Sequence, residues 1–203
     1  MVAPATARLT SPVKPAREGD HFVHLHGVSW ADYERILAIR GDRSAPRIAY
    51  LEGELELMSP GWDHEGIKKC IARLVEAWAD ERDVDLFGVG SWTVKKKPKR
   101  RGAEPDECYT LGARKDRPDL AIEVVWSSGG IDKLEIYRGL GVPEVWIWAD
   151  DRLVVYLLRR GRYAVVTKSL LLPELDLLQL VRFVDPERQP QSVRAYRRAL
   201  RGG

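Results

Sequence analysis

The chain has 203 residues, room for about one domain, and 44% of them are hydrophobic, enough for a core. Lys and Arg number 33 against 30 Asp and Glu, a net charge of +3, which excludes a polycation that coats nucleic acid over its whole surface. The excess is local: residues 95–101 read Lys-Lys-Lys-Pro-Lys-Arg-Arg, and without these six cations the balance is 27 against 30. No apolar run reaches the ~18 residues of a membrane span. Residues 1–10 lack the basic start and apolar stretch of a signal peptide, so a cytoplasmic protein is expected. Cys70 and Cys108 cannot form a zinc site alone and read as buried, reduced thiols.

Residues 1–20 hold three prolines and almost no large apolar side chain, the composition of a mobile tail. Ser29 and Asp32 offer a cap and an acidic third position ahead of Tyr33, Ile36 and Leu37, which predicts a short helix. Residues 48–57 are strand-like on both sides of Glu52-Gly53, a two-residue hairpin signal. Asp63 then caps a long helix whose apolar positions Ile67, Cys70, Ile71, Leu74, Val75 and Trp78 follow the helical period. From Val84 the pattern turns to strands. Trp92-Thr93-Val94 leads into the basic run and residues 105–111 lead out, a hairpin with a basic tip. Residues 120–126 form a nearly continuous apolar run, a central strand buried on both faces. Residues 130–140 predict a helix closed by Gly141, and residues 145–148 a further strand. Residues 153–158 and 163–167 make a hairpin around Arg160-Gly161, and residues 174–183 a final helix or loop. The reading is α/β: a mixed central β-sheet flanked by helices, with β-hairpins, in one domain over residues 21–186. Residues 187–203 form a basic C-terminal tail or helix.

Glu123 interrupts the central strand. A buried carboxylate costs several kcal/mol unless a partner compensates it, so it either pairs with a cation or serves a site. Asp106 follows Pro105 at a strand start, 17 residues earlier. Two carboxylates on adjacent strand ends can share Mg²⁺ or Mn²⁺, with water and phosphate oxygens completing the shell. Lys133 opens the next helix, whose first turn can return to the end of the Glu123 strand. There an ammonium could orient a water or offset charge on a phosphate. Asp119 also follows a proline, but it lies ~13 Å along the strand from Glu123, too far to share one metal, and Asp106 is preferred. His64, at the head of the long helix, reads either as a general base or phosphate contact or as a helix-start residue bonding a neighbour. His24 and His26 share one strand face with no third ligand nearby and are not read as a metal site.

Pro105-Asp106 followed by Glu123 resembles the Pro-Asp…(Asp/Glu)-x-Lys signature of the restriction-endonuclease superfamily. Over roughly residues 28–180 the chain is similar, more specifically, to the Uma-two family of restriction-endonuclease-like proteins. The matching stretches are Glu52-Gly53-Glu54-Leu55, Met58-Ser59-Pro60, His64, Pro105-Asp106 and Pro118-Asp119-Leu120 through Glu123-Val124. Lys133 with Tyr137, and residues 141–146, complete the series. The resemblance implies a restriction-endonuclease-like core with Asp106 and Glu123 as metal ligands and Lys133 as the catalytic lysine. Two departures accompany it. The usual lysine position, two residues after the Glu, holds Val125, and relatives often carry a Glu where Ala49 stands, so a further acidic ligand is either missing or supplied by Glu54.

The expected function is a Mg²⁺- or Mn²⁺-dependent endonuclease acting on DNA, with His64 a further catalytic candidate. Beside such a site, Lys95, Lys96, Lys97, Lys99, Arg100 and Arg101 become phosphate-backbone contacts. Arg194, Arg197, Arg198 and Arg201 offer another path for DNA. A nuclease-fold protein that binds nucleic acid or a protein partner without cutting is the alternative, kept open by Val125. A third is an assembly module using the basic hairpin for homodimer contacts.

Overall fold

The computed structural model describes residues 19–125 and 130–202. β1 (His21–Leu25) is exposed along its whole length. α1 (Trp30–Arg40) starts where the sequence places it: the Ser29 hydroxyl accepts the Asp32 N–H, satisfying one of the amides a helix start leaves without a partner. β2 (Arg47–Leu51) and β3 (Glu54–Ser59) form the expected hairpin. Glu52 and Gly53 both take positive φ, as a tight two-residue turn requires.

α2 (Trp62–Glu81) buries all six of the periodic positions. Its cap is Gly61, and Asp63 sits in the first turn, two residues past the cap position expected for it; the helix starts early because the Asp20 carboxylate takes the Gly61 N–H. β4 (Leu86–Gly88) follows. β5 (Val94–Lys96) and β6 (Arg101–Ala103) form a hairpin with the basic run at its 3-10 turn, Lys97–Lys99, but its return strand is residues 101–103 and not the expected 105–111. β7 (Glu107–Leu111) leads to β8 (Leu120–Val124), all five residues of which are buried. α3 (Lys133–Leu140) is capped by Asp132 and closed by Gly141 in the left-handed conformation. β9 (Glu144–Ala149) runs parallel to β8. β10 (Arg152–Arg159) and β11 (Arg162–Val166) form the second predicted hairpin, and α4 (Leu177–Val181) and α5 (Gln189–Arg201) end the chain.

The strands form two sheets rather than one. The first is antiparallel, in the order β1-β3-β2-β6-β5; the second runs β11-β10-β9-β8-β7-β4 and is mixed because β8 and β9 are parallel. Residues 101–111 therefore divide between the sheets. Pro105 has no N–H for a ladder and ends the first sheet there. The buried Glu104 carboxylate pins the crossing by accepting from Arg40, the Thr93 hydroxyl and the Ile48 N–H.

Alternation along β8 then sorts the layers. Leu120, Ile122 and Val124 join the main core with α2, α4 and α5. Ala121 faces the other way, into a cluster with Ile136, Tyr137 and Leu140 of α3 and Ala49, Val94 and Ala103 of the first sheet. α3 thus lies between the sheets. α1 covers the outer face of the first sheet with Trp30 and Tyr33.

The ends also differ from expectation. Of the expected tail, residues 1–18 lie outside the described residues, while Asp20, its last residue, has a buried side chain. α5 is a helix integral to the domain, because Tyr196 and Leu200 complete the main core against α2. Both cysteines are free and buried, and burial pushes the Cys108 thiol up to about 12. Among the described residues, no helix is long and apolar enough to cross a membrane.

Gly102 lets β6 lie directly on the Tyr33 ring. A Cβ there would fall on the Tyr33 hydroxyl and within 2.7 Å of its Cζ. Tyr33 is fully buried and stacked on Tyr50 at 4.8 Å, so it has nowhere to swing. Gly102→Ala is expected to lower unfolding stability by ~1–3 kcal/mol in chemical denaturation; an unchanged midpoint would show that the aromatic stack yields.

Candidate active site

The buried central strand carries its carboxylate toward α3. Glu123 is 2% exposed. Its Oε1 accepts the hydroxyl of Tyr137, one turn along α3 from Lys133, and its Oε2 lies 3.7 Å from the Lys133 ammonium. Burial, with the Glu123 charge beside it, pushes the Tyr137 hydroxyl well above its ordinary value, so it remains a donor. The same ammonium is 4.0 Å from Oε1 of Glu56 on β3. Glu56 stands directly across the β2–β3 hairpin from Ala49, accepts the Ile131 N–H at 3.0 Å, and has His24 of β1 at 3.7 Å. Two buried carboxylates thus bracket one lysine. They open onto a cleft of about 360 Å³, lined also by Asp20, His24, Ile131 and Asp132.

A second cluster adjoins it. Continuing the β7–β8 register one residue beyond Glu107↔Ile122 sets Asp106 across from Glu123. Asp106 is fully buried. Its Oδ2 accepts the Val124 N–H at 2.7 Å and lies 3.1 Å from His64 Nε2, while Oδ1 pairs with Arg47. The other face of His64 meets Asp20: Nδ1 is 2.8 Å from Oδ2, and Asp20 Oδ1 accepts the Gly61 N–H at 2.8 Å. Burial works to raise the Asp20 carboxyl, but the bonds from His64 and Gly61 and the charges of His64 and Arg47 outweigh it and hold it below its ordinary value. Each nitrogen of His64 therefore faces a carboxylate, and the ring donates to both only as an imidazolium.

The sequence candidates thus fall into two groups. Glu123 and Lys133 meet in the cleft; Asp106 and His64 meet beside it, with the Asp106 oxygens already engaged by Arg47, His64 and Val124. Glu54 does not reach Lys133. It shares the strand face of Glu56 but lies nearer the turn, half-exposed and paired with His26. The second carboxylate at Lys133 is Glu56. Arg101 is not a surface cation: it is 7% exposed, bonded to Glu52 at 3.0 Å and Glu135 at 2.5 Å. Lys95 pairs with Glu34 at 3.3 Å, whereas Lys96, Lys97, Lys99 and Arg100 are exposed. Arg197 and Arg201 are held by Glu81, and Arg197 also by Asp80.

Sequence reasoning missed Glu56, Asp20 and Arg47, set His24 aside, and carried Tyr137 only within the family resemblance. Glu56 and His24 had a signal, polar residues at alternate strand positions. Tyr137 looks like core, and Asp20 and Arg47 reach their partners only through tertiary packing.

The resemblance implies a divalent metal, and the cleft's donors suit one. Glu56 and Glu123 are hard oxygen donors, matched to Mg²⁺ or Mn²⁺. Among the described residues no three His, Cys, Asp or Glu side chains form a ready cage. Mg²⁺ is commonly held by one or two carboxylates, with water and phosphate oxygens for the rest of its shell.

Asp20→Asn tests the second cluster. Because the Asp20 carboxyl is held below 3.8 in the fold, its contribution is complete above that pH and is lost as the pH falls through the lowered value. The variant is expected to be less stable by about 1 kcal/mol near pH 7, with the two unfolding curves converging below pH 3.8. A deficit that persists into acid would mean the asparagine disturbs packing rather than charge.

The family model of Uma2, described as "Putative restriction endonuclease", matches residues 30–193. No curated protein matches the chain. Among solved structures it is similar to a chain described as a putative nuclease belonging to DUF820 from Anabaena variabilis ATCC 29413. The identity is 13% and the TM-score 0.46, covering 77% of this chain and 96% of that one. The family match takes in Glu56, His64, Asp106, Glu123 and Lys133, leaving Asp20 and His24 outside, and the chain belongs to the Uma2 family of restriction-endonuclease-type nucleases.

Proposed function

We propose that the protein is a divalent-metal-dependent endonuclease acting on DNA, with its chemistry in the cleft between Glu56, Glu123 and Lys133. The observation that carries this reading is the charge at that point: one ammonium lies within 4.0 Å of two buried carboxylates. A structural ion pair needs one carboxylate per lysine. Two leave an excess negative charge facing an open cleft, which destabilises the fold alone and suits a cation.

Glu123 and Glu56 would hold the metal. Asp106, across from Glu123, stays in the proposal as a further ligand, but its oxygens are shared with Arg47, His64 and the Val124 N–H. When bound, Mg²⁺ stabilises charge on the phosphate and lowers the pKa of an attacking water. Tyr137 fixes Oε1 of Glu123, which leaves Oε2 to the cleft. The Ile131 N–H does the same for Oε2 of Glu56, leaving Oε1 beside Lys133. Lys133, only 16% exposed, can orient the water or offset charge on the scissile phosphate from a position too dry for solvent to screen it fully. His64, enclosed by Asp20 and Asp106, positions Asp106 rather than meeting substrate. The silent-binder alternative rests on Val125. Lys133, arriving from α3, brings an ammonium to the same carboxylate and removes the reason for preferring it.

Nicking of supercoiled plasmid by the full chain should require Mg²⁺ or Mn²⁺ and stop with EDTA. Glu123→Gln, Glu56→Gln and Lys133→Ala should each slow it by ~100-fold or more. Glu123→Gln should leave thermal stability unchanged or raised, because it removes excess buried charge. Nicking that persists in chelator, or that survives all three substitutions, would defeat the proposal.

A further inference from the structure

We infer that the turn of the β10–β11 hairpin is a second phosphate-backbone contact, reached from the cleft along a groove beside α3. This rests on the nuclease reading for its substrate, DNA, and on separate residues for its site. The groove is lined by Asp132, Leu134, Arg138, Arg162 and Tyr163, among others. Asp132 and Leu134 also line the cleft, so the two hollows meet around the first turn of α3, which carries Lys133.

Arg162 joins the groove wall, and the hairpin turn beside it is a concentration of charge. Arg159, Arg160 and Arg162 are all exposed, and among the described residues none is in an ion pair. Arg159 and Arg162 are direct cross-strand partners, and Arg160 sits between them with a left-handed φ of 48°. Like charges directly opposed destabilise a hairpin, whereas the positive φ of Arg160 is what the two-residue turn requires. The fold gains nothing from the clustered charge; a polyanion laid across the turn would.

The carboxylates nearby do not cancel it. Glu135 is shared by Arg138 and Arg101, which hold its carboxyl down to about 2, and Asp132 is occupied as the α3 cap. The Tyr163 hydroxyl donates to the Val142 carbonyl at 2.6 Å, which fixes the ring in the groove wall. The Arg138 guanidinium also donates to the Gly161 carbonyl at 3.5 Å. A chain of contacts therefore runs from the first basic hairpin through Arg101, Glu135 and Arg138 to the second. Both hairpins pack on α3, a helix only ~12 Å long by its eight residues. A DNA strand passing Lys133 meets exposed cations from both. Arginine, with a planar fork that matches phosphate oxygens two at a time, suits the task.

The test is fluorescence anisotropy of a labelled duplex of about 20 base pairs with the full chain in EDTA, across a salt series. Each lost phosphate contact removes up to ~0.9 from the slope of log K against log salt. Arg160→Ser should lower the slope by up to about that amount, and the triple variant Arg159→Ser/Arg160→Ser/Arg162→Ser by up to ~2.7. The triple lysine variant should keep the slope, since the slope counts charges. A serine variant with the wild-type slope and an unchanged melting temperature overturns the inference, and it leaves the nuclease reading standing if plasmid is still nicked. Hairpin-dependent binding without nicking has the reverse meaning, and a wild-type chain that binds DNA neither in EDTA nor with Mg²⁺ and does not nick it overturns both. Should the triple serine variant fail to fold, Arg160→Ser, at an exposed turn position, decides the matter by its own slope.

Discussion

Glu123 puts a negative charge into a strand whose five residues are all buried, and an uncompensated carboxylate there would cost several kcal/mol. Its compensation comes from one element. α3 reaches it with the Tyr137 hydroxyl and the Lys133 ammonium, one helical turn apart and so on the same face. For both to arrive, α3 must lie between the sheets with its first turn at the end of β8. The apolar residues that hold it there, Ile136, Tyr137 and Leu140, pack on Ala49 and Ala103, small residues that leave room for a helix. The placement of α3 in turn brings Lys133 to Glu56 on the first sheet. The cleft is a consequence of satisfying one buried charge.

The second constraint is the crossing between the sheets. Pro105 ends one ladder, Glu104 pins the chain before it, and Asp106 accepts a β8 amide after it. Three consecutive residues thus do what would otherwise take a loop. The requirement on Asp106 is severe, since it is fully buried, and its neighbours are correspondingly charged. Arg47 from β2, His64 from α2 and, through His64, Asp20 all converge on it. This network ties α2, both sheets and the segment before β1 to one point next to the cleft. Removing Arg47 would leave the fully buried Asp106 carboxylate without its cation, the most costly kind of polar substitution.

These two constraints explain what could be read in advance. The helices and hairpins are set by local signals: the Ser29 cap, the period from Ile67 to Trp78, the turns at Glu52-Gly53 and Arg160-Gly161. Glu123 and Lys133 were legible because a charge inside an apolar run is an anomaly, and a helix start after a strand has few places to go. The division into two sheets was not, because Pro105 marks a break without saying to which sheet the chain moves. Glu54 and Glu56 could not be ranked from sequence, since they share a strand face and only the position of α3 decides which meets Lys133. Arg101 shows the same limit from the other side. In the sequence it is one of six like charges; in the fold it turns inward because Glu52 and Glu135 wait there. Composition cannot distinguish a solvated cation from a buried one.

The charge of the molecule is arranged in two zones of opposite sign, and their order has a physical meaning. Inside, two carboxylates against one ammonium make the cleft acidic. Outside, the exposed Lys96, Lys97, Lys99 and Arg100 on one hairpin and Arg159, Arg160 and Arg162 on the other are basic. A polyanion is attracted by the outer cations over a Debye length of roughly 8–10 Å at physiological salt, but it would be repelled by the acidic floor if it entered alone. A divalent cation held by Glu56 and Glu123 would reverse that last step, since its charge would offset theirs. The valine-for-lysine departure at position 125 fits this arrangement: with the ammonium on α3 instead of β8, Lys133 stands where the acidic floor meets the basic groove. There it touches both carboxylates proposed to hold the metal and stands open to a phosphate that the hairpins would deliver.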